Sequence, residues 1–334
     1  MDMKQWKASL MTPQGRRALP VLSFPAASLM GVTAGQLATD EALQAESIRL
    51  VAQRCPVAAA MACMDVSVEA ECFGAQLRFS EDKVPIVARP LIDDLEEAEE
   101  LELPAVGSGR TGLRIAAAAK AARELEQTPV FGGCIGPFSL AGSLIELSEV
   151  MACAMEEPEL LHPVMEKLTD FLISYLTAMK EAGIQGVMMA EPSAGLLSPE
   201  LCREFSSDYI RKIVDAVQDD SFLILYHNCG PAAPRMIPEM VATGCAGYHF
   251  GNVVDLKEML EKMPADALVM GNLDPLGVLR GGTPESVEEA TRQLLERCGE
   301  FPNFVPSSGC DLPADVPWEN LDAFFRVVEA WAGR

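Results

Sequence analysis

Eight short apolar runs constrain this chain more than any other feature: each is closed by glycine, proline or a polar cluster, and each precedes a stretch able to form a helix. They cover residues 19–24, 57–64, 128–134, 185–190, 222–227, 246–250, 267–271 and 303–307. Runs of this length, bounded by turn residues, predict β-strands. Parallel neighbours need a crossover, usually helical, so the strict strand–helix alternation favours a parallel sheet. There is no long linker, low-complexity tract or solenoid-spaced repeat. The expectation is therefore an α/β chain forming one (β/α)8 TIM barrel domain over residues 1–334, with an N-terminal extension and an insertion after the second strand. The insertion is assigned to residues 79–110, where Pro85, Pro90 and Pro104 stand among acids such as those of 96–100, and it would cover the barrel mouth. A doubly wound open sheet is the structural competitor.

Several helix starts carry their own punctuation. Ser198-Pro199-Glu200 supplies an N-cap, a first-turn proline and an early acid ahead of residues 201–217. Thr283-Pro284-Glu285 repeats the device, and Pro317 lies near the start of the last helix. Asp255 and Glu258 have the spacing of a capping box before residues 256–262.

Composition removes several function classes. Lys and Arg number 26 against 49 Asp and Glu, a formal charge of -23. Such a surface repels phosphate backbones and anionic lipid, so neither nucleic acid nor membrane is expected as a partner. No Gly-x-Gly-x-x-Gly run follows a strand and no Walker-type loop occurs, leaving nucleotide binding without support. The N-terminus lacks a signal-type apolar core and no stretch approaches ~20 consecutive apolar residues, so a cytoplasmic protein is expected. Ten cysteines in 334 residues, without a dense disulfide framework, suit a reducing and even anaerobic compartment.

The sharpest motif is Tyr226-His227-Asn228-Cys229-Gly230, which ends the fifth run. In extended backbone His227 and Cys229, two residues apart, point to the same side. Cys310, in Ser307-Ser308-Gly309-Cys310-Asp311, ends the eighth run and so opens onto the same rim of a barrel. One imidazole and two thiolates suit Zn2+, and three protein ligands leave a fourth position for chemistry. The other eight cysteines, Cys55, Cys63, Cys72, Cys134, Cys153, Cys202, Cys245 and Cys298, are read as small buried apolar residues. His249 ends the sixth run, next to the fifth in a barrel; it is a reserve ligand, an acid or base, a hydrogen-bond donor to substrate, or structural. His162 is read as exposed at a helix start.

Five motifs together resemble a known family: Phe131-Gly132-Gly133-Cys134-Ile135-Gly136-Pro137-Phe138, Glu191-Pro192, His227-Asn228-Cys229-Gly230, Gly271-Asn272-Leu273-Asp274-Pro275 and Ser307-Ser308-Gly309-Cys310. They are similar to the uroporphyrinogen decarboxylase superfamily, and most to its methylcobamide:coenzyme M methyltransferase branch. The resemblance implies a methyltransferase of one-carbon metabolism, in which zinc binds a thiol such as coenzyme M. The methyl donor would be a corrinoid of methylcobalamin type on a partner protein, or, in the related demethylase role, a small methylated substrate would methylate that corrinoid. A homodimer is also allowed for. The decarboxylases carry an Arg-bearing loop after the first strand, whereas here no Arg occurs between Arg17 and Arg49.

The remaining strand ends supply candidates with open roles. Glu191 is placed beside the metal, to bond a ligand, occupy a metal position or move the thiol proton, or else to cap the next segment. Asp65 is a second inward carboxylate, while Glu69 and Glu71 are read as helix or loop. Asn272, with Asp274, would orient His227 or a substrate head group, or satisfy a tight turn. Backbone at Ser308 and Gly309 is the expected seat of an anionic tail, since no strand-end Arg or Lys stands out.

Overall fold

A computed structural model describes residues 1–12, 15–92, 98 and 101–333. Seven strands form one parallel sheet in the order β1 (Ala60–Met61), β4 (Val130–Ile135), β5 (Gly186–Ala190), β6 (Leu223–Asn228), β7 (Gly247–Phe250), β8 (Leu268–Leu273) and β9 (Phe304–Ser308). The remaining two, β2 (Leu77–Arg78) and β3 (Ile86–Val87), make an antiparallel pair between β1 and the helix Arg110–Glu124. Every residue of β4, β5, β6, β7 and β9 is buried. That is why these strands read as continuous apolar runs: a parallel sheet is covered on both faces.

The two faces pack into separate clusters. Phe131, Met188, Leu225, Met270 and Val305 meet on the inner side of the curled sheet, with Leu19 and Met61. Val187, Met189, Ile224, Tyr226 and Val269 face the surrounding helices, against side chains such as Phe171 and Ile213. The amphipathic helix Met3–Leu10 sends Met3, Trp6 and Leu10 into the inner cluster. Trp6 Nε1 donates to the Ala58 carbonyl at 3.0 Å, and the Met3 N–H donates to Asp220 O, just before β6, at 2.8 Å. This helix plugs the end of the curl where the strands begin, so access to the interior is from the end where they finish.

The first expected strand, 19–24, is not a strand. Pro20 has no N–H to give a ladder, and the Val21 N–H donates to Ser308 Oγ at 3.0 Å rather than to a carbonyl. What remains is a bridge between Ala18 and Val57 on one side and a bond from Leu19 N to Pro306 O, 3.0 Å, on the other. The segment thus touches both edges of the sheet. The second expected strand, 57–64, shortens to β1. Past it, the Cys63 and Asp65 carbonyls accept from the Arg114 guanidinium, at 3.1 Å for Asp65.

Helix punctuation is largely as the residues suggest. Ser198 caps its helix through Leu201 N, and Thr283 with Ser286 forms a capping box. The first of these helices starts at Pro199 and contains a π turn, Arg203–Ser207. Asp255 caps Lys257 N, whereas Glu258 pairs with Lys262 at 2.6 Å, so no reciprocal box forms there. The acidic run of 96–100 falls, apart from Ala98, outside the described residues. Among the described residues no single helix is long and apolar enough to cross a membrane.

Candidate metal centre

Strand β6 ends in His227 and Asn228, and Cys229 follows. The pleat sends His227 and Cys229 one way and Asn228 the other. Asn228 Nδ2 donates to Glu191 O at 3.0 Å and its Oδ1 accepts from Gly230 N at 2.9 Å, which fixes the strand end. Gly251 gives Cys229 its room: a Cβ there would lie 2.8 Å from the Cys229 Cα. Cys310 follows β9, in a loop held by Asp311, whose carboxylate accepts from Ser23 Oγ at 2.7 Å and from Leu312 N at 2.9 Å. Burial pushes the Asp311 carboxyl up to about 7.

These elements bring three soft donors together. One ligand atom each from His227, Cys229 and Cys310 lies within 4.8 Å of the others, and among the described residues no other trio of His, Cys, Asp or Glu does this. Cys310 Sγ is 3.6 Å from His227 Nε2. Tetrahedral zinc with ordinary Zn–N and Zn–S bonds would set nitrogen and sulfur about 3.6 Å apart, so the donors fit the ion. The two thiols perturb each other: contact first with Cys310 and then with His227 holds Cys229 well below the ordinary thiol range, and the contact with Cys229 drives Cys310 up. All eight other cysteines are buried, while these two are partly exposed.

His249 lies in register with His227 on the adjacent strand β7. Its Nδ1 is 2.7 Å from His227 Nδ1, and its Nε2 is 2.8 Å from Ser307 Oγ. Burial first, and the neighbouring imidazole second, hold its pKa well below the ordinary histidine value. It touches a prospective ligand from behind, so it does not join the trio.

Glu191 does not face the trio. It is wholly buried under the helix Pro137–Leu144, where it accepts from Phe138 N at 2.9 Å, Ser139 N at 3.0 Å and Ser206 Oγ at 2.9 Å. It caps that helix, against which burial raises its pKa and the hydrogen bonds pull it down. Asp65 is buried too, bound to Arg110 and accepting from Ser67 Oγ at 2.6 Å. The expected anion seat is also occupied from within: Ser308 Oγ takes the Val21 N–H, and Gly309 N donates to Leu273 O at 2.6 Å. Asn272 donates to Gly251 O at 3.0 Å and Val254 O at 2.9 Å, tying down the loop after β7. Asp274 caps the turn Pro275–Arg280. His162 is half-buried rather than free, 2.7 Å from Tyr209 Oη and stacked on Phe205.

Two cations went unnoticed in the sequence because they come from a helix, not a strand end. Arg110 and Arg114 are one turn apart on Arg110–Glu124 and both are buried. Arg110 binds Asp65 and Glu71, the latter at 2.7 Å. Arg114 reaches over Gly133, where a Cβ would stand 3.1 Å from its guanidinium. Their i, i+4 spacing ahead of an alanine-rich run was the available signal. Glu69, on the helix Val68–Cys72, is wholly buried; burial pushes it up to about 7, and its Oε2 lacks a partner.

Known proteins share this architecture. A methyltransferase structure from Methanosarcina mazei superposes with a TM-score of 0.85 at 21% identity, covering 99% of this chain and 98% of that one. A B12-independent methionine synthase from a Shewanella species gives 0.61 at 12% identity, covering 95% of this chain and 96% of that one. These likenesses establish a TIM-barrel-like fold. In sequence, a methylcobamide:CoM methyltransferase of Methanosarcina acetivorans is 30% identical over 79% of this chain and 76% of its own length. A uroporphyrinogen decarboxylase of Hydrogenovibrio crunogenus is 27% identical over 83% of this chain and 79% of its own. The Uroporphyrinogen decarboxylase (URO-D) family itself matches residues 15–331. A match that spans nearly the whole curled sheet and its helices makes the chain a member of the uroporphyrinogen decarboxylase family.

Proposed function

We propose that this protein is a zinc-dependent methyltransferase that moves a methyl group from a corrinoid on a partner protein to a small thiol, within a single barrel domain over residues 1–334 whose eighth stave is the segment 18–21. The convergence of His227, Cys229 and Cys310 at the strand ends carries the reading. Three soft donors form a site with one position left for a thiol, and the relative named for methylcobamide and CoM supports the choice of chemistry. A zinc ion held there supplies the Lewis acidity that keeps a bound thiol deprotonated at neutral pH.

The chain's own residues do the rest. His227, Cys229 and Cys310 fix where the acceptor sulfur lies, and the plug of Met3, Trp6 and Leu10 leaves one direction of approach. The acceptor's sulfur lone pair makes the new S–C bond, the Co–C bonding pair stays with cobalt, and the thiol proton leaves to solvent. Leu29, Val66, Leu196, Val253 and Leu276 are exposed in segments that follow strand ends, giving a corrinoid protein apolar contacts around the rim. Coenzyme M is an acceptor with an anionic tail, and Arg114, which among the described residues bonds the Cys63 and Asp65 carbonyls and no carboxylate, offers a cation at this end of the sheet.

Methylcobalamin incubated with zinc-loaded protein and candidate thiols tests the reading. Thiol-dependent loss of the methylcobalamin spectrum is expected. Turnover with no thiol, or conversion of uroporphyrinogen, would overturn it.

A further inference from the structure

We propose that His249 and Ser307 are positioning residues that lock His227 in one tautomer, with its bare Nε2 turned toward Cys229 and Cys310; this rests on reading those three side chains as metal donors. The direction of each hydrogen bond follows from the end of the chain. The Leu19 carbonyl has no proton, so Ser307 Oγ, 2.7 Å away, must donate to it. Ser307 has only that one proton. In its 2.8 Å contact with His249 Nε2 the hydroxyl oxygen therefore accepts, and His249 carries its proton on Nε2.

His249 is wholly buried and none of its hydrogen bonds is to a carboxylate, so the ring is neutral and its Nδ1 is an acceptor. The 2.7 Å contact between the two rings is then donated by His227 Nδ1. In neutral His227 the lone pair is left on Nε2, the atom 3.6 Å from Cys310 Sγ. A backbone carbonyl thus sets the protonation pattern of two imidazoles. Leu19 cannot drift, because its own N–H is held by Pro306 O. Ligating histidines commonly use their second nitrogen to donate to a carboxylate or carbonyl. Here the same task passes through a second ring and a hydroxyl.

The test uses the full chain, and its three histidines make imidazole NMR tractable. In metal-free, 15N-histidine-labelled protein, with His162→Gln to remove one signal set, His227 should appear as the Nδ1–H tautomer and His249 as Nε2–H. Zinc affinity, read by chelator competition, should fall about 10–100-fold in His249→Phe and in Ser307→Ala. His249→Gln, whose amide oxygen and nitrogen reproduce the acceptor and donor, should recover to within about threefold of wild type. An Nε2–H tautomer at His227, or equal zinc affinities in all four proteins, overturns the proposal. If wild type binds no zinc at all, the metal reading fails, while the tautomer measurement still decides this one.

Discussion

Two polar clusters occupy the same end of the sheet and are built on opposite plans. Near β1, Asp65, Glu71, Arg110 and Ser67 satisfy one another: each Arg110 donor group finds an acceptor, at 2.7 Å for Glu71 and 3.1 Å for Ser67. Between β6 and β9, His227, Cys229 and Cys310 converge with only each other, and their support comes from behind, through His249 and Ser307. A closed ionic cluster holds its neighbours in place, whereas donors that converge without an internal cation invite one from outside. On the proposed reading, this difference separates a structural knot from a reactive site.

The largest effect that would break this contrast is at the open cluster. Cys310→Ser should lose stoichiometric zinc by elemental analysis and lower thiol methylation at least about 10³-fold, while leaving the melting temperature of the metal-free protein nearly unchanged. Retained zinc and activity would make the two clusters equivalent. The closed cluster should behave in the opposite way. Arg110→Met leaves Asp65 buried without its cation and should cost about 3–5 kcal/mol in denaturant unfolding, with zinc per folded chain unaltered.

A subtler distinction is in pH. The Glu69 carboxyl is raised in the folded protein from 4.5 to about 7. Below the unfolded value both states are protonated and nothing is lost. As pH rises from about 4.5 to about 7 the unfolded chain releases the proton first, so stability declines across that window and then levels off. Glu69→Gln should match wild type near pH 4 and exceed it above pH 7 by on the order of 1–3 kcal/mol. Equal stability of the two proteins at all pH values would remove Glu69 from the comparison. The smallest effect is expected at Glu191→Gln, which keeps one acceptor for the helix Pro137–Leu144: about 1 kcal/mol of stability, with methylation within about twofold of wild type. A collapse of turnover would instead return Glu191 to the reaction.

The trio was legible because its information is local and chemical. Two ligands stand two residues apart at a strand end, and the third ends another strand on the same rim. The parallel sheet was legible from its wholly apolar strands. The segment 19–24 was overread because apolar character does not reveal that Pro20 lacks a donor and that a serine hydroxyl replaces the ladder. Glu191 ends β5 as expected, yet the pleat turns it away from the interior into a helix terminus distant in sequence. Arg114 escaped notice because residues far from any strand end in sequence can still reach over one in space.

The bond between Ser307 and Leu19 joins residues 288 positions apart. During synthesis His227 and Cys229 leave the ribosome well before Cys310, and the N-terminal segment waits without its neighbour until β9 emerges. The donor set is therefore complete only once residue 310 has been made, and a chain cut short of it holds at most two of the three donors. On the proposed reading, zinc is then held only after β9 has joined the sheet.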